Sequence, residues 1–260
     1  MKFRPCIDLH NGKVKQIVGS SLSDNQPECL KTNFVADKPS SYYAQMYCQD
    51  NLEGGHIIKL GPGNTAAAIE ALQAWPGGMQ IGGGISLENA AQWLDRGASH
   101  VIVTSCVFKN GKINQEYLDK LVKKIGPKNL VLDLSCRKRE KDYYIVTDRW
   151  QKFTEVTINQ STIEKFSSYC DEFLIHAADV EGKCAGIEKE LVYKLGKWIT
   201  IPTTYAGGIR NLDDLKKIYE LGGGNIDATI GSALDIFGGT GITYAETVAF
   251  HKSCQDEKTY

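Results

Sequence analysis

A chain of 260 residues with 30 basic and 31 acidic side chains carries a formal charge of −1, which excludes a general electrostatic grip on nucleic acid or anionic membrane. Its 42% hydrophobic and 23% charged residues are the composition of a globular protein, not of a disordered chain. No apolar run reaches the roughly 18–20 residues that span a bilayer, and Met1-Lys2-Phe3-Arg4-Pro5 lacks the apolar stretch of a signal peptide.

Eight short apolar runs follow one another along the chain: Phe3 to Leu9, His56 to Leu60, Met79 to Ile81, His100 to Thr104, Leu130 to Leu134, Phe173 to Ala177, Thr203 to Ala206, and Ile226 to Ile230. They are rich in Val and Ile and mostly apolar on both faces, as buried parallel strands are. Helical patterns separate them. Ser86 to Arg96 carries Leu87, Ala90, Ala91 and Leu94 on one stripe, with Ser86 as cap and Gly97 as stop. Tyr117, Leu118, Leu121 and Val122 mark a helix before Gly126-Pro127, and Asn211 to Leu221 repeats the capped design before Gly222. Eight strands alternating with eight helices predict a single α/β domain, a (β/α)8 barrel over 1–260. The polar segment Ser20 to Asp37 is expected to be a loop over the barrel mouth, and Lys138 to Asp142 a solvated loop tip.

The two halves of the chain look alike. Gly83 and Gly207 lie 124 residues apart, Thr104 and Gly231 127, and Asp8 and Asp133 125. Three matches in one order at nearly one offset predict half-barrels of about 1–125 and 126–260. Asp8 would end the first strand and Asp133 the fifth, which face each other across an eight-stranded barrel. Both carboxylates would then reach the mouth where barrel enzymes keep their active sites. Gly83-Gly84 with Thr104-Ser105 would form one rim site, and Gly207-Gly208 with Gly231-Ser232 another. Glycine turns expose backbone N–H groups to an anion, so each pair reads as a phosphate cradle. Two cradles imply a ligand with a phosphate at each end. Two facing aspartates can divide acid and base work between them.

The eight cysteines form no C-x-x-C pair. They read as reduced thiols of a cytoplasmic protein and not as zinc ligands. Neither a Walker loop nor a dinucleotide fingerprint is present, so no metal or cofactor is expected. What remains is proton transfer on a small molecule, of which isomerisation is the simplest form.

The chain resembles the family of histidine-pathway isomerases that act on phosphoribosylformimino-AICAR ribotide. Pro5-Cys6-Ile7-Asp8-Leu9 looks like the family's opening strand, and Asn11-Gly12-Lys13-Val14 like the turn after it. Gly82-Gly83-Gly84-Ile85, Ala206-Gly207-Gly208-Ile209 and Leu132-Asp133-Leu134-Ser135 match its glycine turns and its second aspartate strand. Trp150 sits where the family has a Trp that stacks on substrate. The resemblance implies a cofactor-free Amadori rearrangement of a bisphosphate, with Asp8 as general base and Asp133 as general acid. It also implies a cytoplasmic enzyme, expected to be a monomer.

Departures point to a eukaryotic-type branch. Ala177 follows the His of the sixth strand, Lys59 takes a place usually held by Asp, Thr104-Ser105 replaces Gly-Thr, and Glu181 stands in for an acidic loop residue. Of the two strand histidines, His56 is the better functional candidate, because the family has a His in that register. Arg137, Arg149 and Arg210 either meet phosphate or are solvated. The alternatives are the cyclase of the same pathway, favoured by Cys6, and a non-catalytic phosphosugar-binding barrel.

Overall fold

The computed structural model describes residues 1–17 and 32–256. Eight parallel strands make the central sheet, and each expected run supplies one. In chain order the strands are β1 (Cys6–His10), β2 (Lys13–Ile17), β3 (Thr32–Val35), β4 (Gly55–Lys59), β5 (Met79–Gly82), β6 (Val101–Val103), β7 (Phe108–Lys109), β8 (Lys112–Ile113), β9 (Leu130–Asp133), β10 (Cys136–Arg139), β11 (Asp142–Thr147), β12 (Lys152–Thr157), β13 (Glu172–His176), β14 (Thr203–Ala206) and β15 (Ile226–Thr229). The helices are α1 (Ser40–Gln49), α2 (Thr65–Ala74), α3 (Ala90–Asp95), α4 (Gln115–Ile125), α5 (Gln160–Ser167), α6 (Lys189–Trp198), α7 (Leu212–Leu221) and α8 (Tyr244–Asp256).

The parallel strands run β1-β4-β5-β6-β9-β13-β14-β15. The ring closes just ahead of β1. Phe3 bridges Ala228 of β15, the Arg4 N–H donates to the Ala228 carbonyl at 2.8 Å, and Ala228 N–H donates to Lys2 O at 3.0 Å. The fold is a (β/α)8 barrel. β1 and β9 are four strands apart in either direction round it, so Asp8 and Asp133 stand on opposite walls.

Local chemistry explains where the helices start and stop. In α4, Asn114 Oδ1 accepts from the Tyr117 N–H at 3.3 Å, Glu116 lies in the first turn, and Lys123 and Lys124 lie in the last. Leu118, Leu121 and Ile125 point inward, and Gly126 at φ 78 ends the helix. Asn211 caps α7 in the same way, accepting from the Asp214 N–H at 3.1 Å. The expected Ser86 cap is displaced: α3 begins at Ala90, and Ser86 to Asn89 form a turn in which the Ser86 carbonyl accepts from the Ala90 N–H. Its buried residues are Ala90 and Trp93, so the stripe read from Leu87, Ala91 and Leu94 is only partly buried.

An ion network ties the strand starts together at the end of the barrel away from the aspartates. Arg4 Nε donates to Asp227 at 2.9 Å and its Nη2 to Glu172 at 3.4 Å, while Gln80 donates to the other Glu172 oxygen at 2.6 Å. The network joins β5, β13 and β15 to the residues that close the ring.

Among the described residues a small β7–β8 hairpin follows β6, and two larger excursions leave the barrel after the aspartate strands. β2 turns back on β1 and pairs with β3; β10, β11 and β12 form an antiparallel sheet after β9. Most of the expected mouth loop, Ser20 to Lys31, lies outside the described residues. Its remainder contains a strand, β3, where a loop was expected. Arg139 to Asp142 is the β10–β11 hairpin turn, with Glu140 at φ 57.

Candidate active site

Two adjoining cavities open at the strand ends. The larger, about 1670 Å³, is lined by Asp8, Asp133, Gly83, Gly84, Thr104, Ser105 and Trp150, with Lys59 and Arg149. The smaller, about 420 Å³, is lined by Gly207, Gly208, Gly231 and Ser232. Asp8, Gln16, His176 and Glu181 line both. The cavities therefore form one trough with a glycine turn at each end and the aspartates between. Ile58 and Ile102 line its floor, packed with Val131 and Leu174 in an apolar layer across the barrel interior.

That floor sets the electrostatics. Burial among apolar side chains, with Glu181 close by, pushes the Asp8 carboxyl up to about 7, against the opposing pull of His176 and Gln16. Gln16 reaches Asp8 because the β1–β2 hairpin folds it back, and its amide Nε2 donates to Asp8 Oδ2 at 3.2 Å. Burial raises the Asp133 carboxyl as well, and His176 and Ser135 pull the other way. The Ser135 N–H donates to Asp133 Oδ1 at 2.8 Å, and its hydroxyl donates to the same oxygen. Glu181 is also raised by burial, in the loop after β13. Three carboxyl groups thus share a poorly solvated trough around one imidazole, that of His176.

His176 lies 3.2 Å from the Ser135 hydroxyl through Nδ1, and the Trp150 ring sits over it at 5.4 Å between centroids. His56, the histidine favoured from sequence, is buried below, and burial lowers its pKa to about 3. Its ring lines the smaller cavity, 6.3 Å from that of His176, while His176 is the histidine in contact with the Asp133 side of the trough. Trp150 follows Asp148 and Arg149 in the β11–β12 turn, where all three hold positive φ.

The glycine turns differ from plain cradles in detail. Gly83 at φ +84 has no room for a side chain, since a Cβ there would lie 2.1 Å from the Lys59 carbonyl. Gly208 at φ +75 is equally tight against the Gly186 carbonyl. The Thr104 hydroxyl is spent on the Asp133 carbonyl at 2.9 Å, and Ser105 Oγ accepts from the Asp148 N–H at 2.9 Å. Ser232 Oγ accepts from Asn33 at 3.0 Å, leaving its own proton to donate. Two of the ambiguous arginines are paired: Arg137 with Asp179 at 2.8 Å, and Arg210 with Asp214 through Nε and Nη2 at 2.8 and 2.9 Å. Sequence reasoning did not assign Gln16 to the site. Its alternate position on the ribbon after Asp8 was the available signal.

The model of the family described as "Histidine biosynthesis protein" matches residues 2–239. A relative from Medicago truncatula, named a chloroplastic 1-(5-phosphoribosyl)-5-((5-phosphoribosylamino)methylideneamino)imidazole-4-carboxamide isomerase, is 54% identical over 96% of this chain and 82% of its own. Proteins of the same enzyme name from Neurospora crassa and Saccharomyces cerevisiae are 50% and 47% identical, covering 96% and 94% of this chain and 98% and 96% of their own.

Proposed function

The chain belongs to the histidine biosynthesis protein family and is its phosphoribosylformimino-AICAR isomerase; from that premise we propose that Asp8 and Asp133 divide the proton transfers of the Amadori rearrangement between them. The observation that carries this is that both carboxylates line one trough from opposite walls of the barrel. Asp133, protonated, gives its proton to the ribose ring oxygen and opens the ring to a Schiff base. Asp8, ionised, removes the proton from C2. The enolamine that results tautomerises to the aminoketose.

Each carboxyl has an environment suited to its part. A base with a pKa near 7 is available as carboxylate at neutral pH and still strong enough to take a carbon-bound proton. Burial shifts the Asp133 carboxyl upward, the direction a general acid needs. The glycine turns at Gly83-Gly84 and Gly207-Gly208, with Ser105, Gly231 and Ser232, take the two phosphates. Binding at both ends then holds the reacting ribose over the aspartates. Trp150 offers its indole face to the planar part of the substrate.

The reading extends to a single domain of two duplicated halves and to a cytoplasmic monomer. The buried, unbridged thiols of Cys6, Cys136 and Cys170 support a reducing compartment. No helix among the described residues is long and apolar enough to cross a membrane. The test is to give the purified chain the aminoaldose bisphosphate alone. Aminoketose formation supports the reading. Consumption only of the ketose with ammonia would make it a cyclase, and tight binding without product a sensor.

A further inference from the structure

The substrate's two ends differ, yet the trough presents a glycine turn at each end on matching strand pairs. Something must tell the ends apart. Ile58 of β4 pairs with Gly82 of β5, and His176 of β13 pairs with Ala206 of β14. One residue further on, Lys59 stands beside Gly83 and Ala177 beside Gly207. A Cβ on Gly83 would press on the Lys59 carbonyl at 2.1 Å, and one on Gly207 on the Ala177 carbonyl at 2.9 Å. Equivalent positions thus hold a cation at one turn and a methyl group at the other.

The rest of the trough has the same polarity. Lys59 and Arg149 line the larger cavity, whereas no lysine or arginine among the described residues lines the smaller. Lys59 is also incompletely compensated. Its ammonium is half-buried and rests 3.8 Å from the centre of the Trp93 ring, with no carboxylate partner among the described residues. Burial and the nearby Arg96 lower it to about 8. A charge kept out of water with only a ring face against it is stabilised by an incoming anion.

We propose that Lys59 binds the substrate phosphate seated at Gly83-Gly84 and so fixes which end of the bisphosphate enters which half of the trough. The proposal rests on the isomerase reading above. Lys59 stands at the end of a barrel strand, where its reach is set by a rigid element, and it leaves Trp93 for the phosphate when substrate arrives. Lys59 takes no part in the proton transfers; it is a positioning and specificity residue.

Steady-state kinetics of Lys59→Met and Lys59→Arg, with calorimetric titration of inorganic phosphate, test this. For Lys59→Met we expect KM to rise about ten- to a hundredfold, the worth of one charged hydrogen bond, with kcat within about threefold and a shallower dependence of KM on salt. Lys59→Arg restores KM to within about fivefold, since it keeps the charge. Inorganic phosphate binds Lys59→Met at least about tenfold more weakly than wild type, at the tighter of two sites. A KM and phosphate affinity within twofold of wild type, or a lowered kcat at unchanged KM, would overturn the proposal. The phosphate titration does not depend on turnover. If the wild type makes no aminoketose, the isomerase reading fails, and the titration still decides whether Lys59 holds an anion.

Discussion

Gln16 Nε2 donates to Asp8 Oδ2 across the β1–β2 hairpin at 3.2 Å, and so steadies the ionised form of a carboxyl that burial and Glu181 push up to about 7. Asp8 is poised by these opposing neighbours. The ribbon that follows β1 adjusts the aspartate in the middle of that strand.

The activity profile should show this. With Asp8 as base, the acid limb of kcat/KM should titrate with an apparent pKa near 7, and activity should fall again where Asp133 loses its proton. Gln16→Leu removes a hydrogen bond to the carboxylate and should move that limb to higher pH. Glu181→Gln removes a neighbouring negative charge and should move it to lower pH. Profiles of kcat/KM for the three proteins between pH 5 and 9 check both signs. Limbs that coincide would show that these neighbours do not set the titrating group.

Stability should follow from the same shift. The folded-state pKa of Asp8 lies above the ordinary carboxylate value, so its contribution to stability is fully present below about pH 4 and is lost as pH rises through about 7. Asp8→Asn carries no charge to bury. It should be more stable than wild type at pH 9, by about 2–4 kcal/mol, and the difference should vanish near pH 4. Urea unfolding without ligand at the two pH values measures it.

The barrel closure makes a separate prediction. Arg4 is buried with Asp227 and Glu172, all with side chains 12% exposed or less. Arg4→Met leaves two buried carboxylates without their cation, at a cost of about 3–5 kcal/mol. Denaturant midpoints should show the loss with the slope unchanged. A loss below about 1 kcal/mol would mean that Phe3 and Ala228 hold the ring closed without the network.

Gly83→Ala tests the first glycine turn. A Cβ there meets the Lys59 carbonyl at 2.1 Å, in a conformation with φ +84 that side chains rarely adopt. We expect a destabilisation of about 1–3 kcal/mol and a raised KM, because the turn must move away from the phosphate. Gly84→Ala, where φ is +66 but a Cβ meets open space, should cost less. Thermal unfolding of the pair ranks them.

The barrel was legible because its strands are buried on both sides and so carry unbroken apolar runs, such as Leu130 to Leu132 and Phe173 to Ile175. Phe3 belongs to the first run yet lies ahead of β1, because it serves the closure and not the β1 ladder. The sheet of β10 to β12 was hidden because Cys136-Arg137-Lys138-Arg139 is charged and largely exposed, and reads as loop. Asp8 and Asp133 were visible through their spacing. His56 and His176 both sit in apolar runs, and only the fold shows that His176 ends its strand between the aspartates while His56 is buried lower in β4 and lines the smaller cavity. Lys59 gave a signal as a cation where the resemblance expects Asp, but its relation to Trp93 depends on how α3 packs.

The central claim is that Asp8 and Asp133 do the chemistry without making the binding. Turnover and affinity of Asp8→Asn and Asp133→Asn for the aminoaldose bisphosphate measure it most directly. Each variant should lose at least about a thousandfold in kcat, with affinity within about tenfold of wild type, or about 1.4 kcal/mol. Turnover close to wild type in either variant would contradict the account.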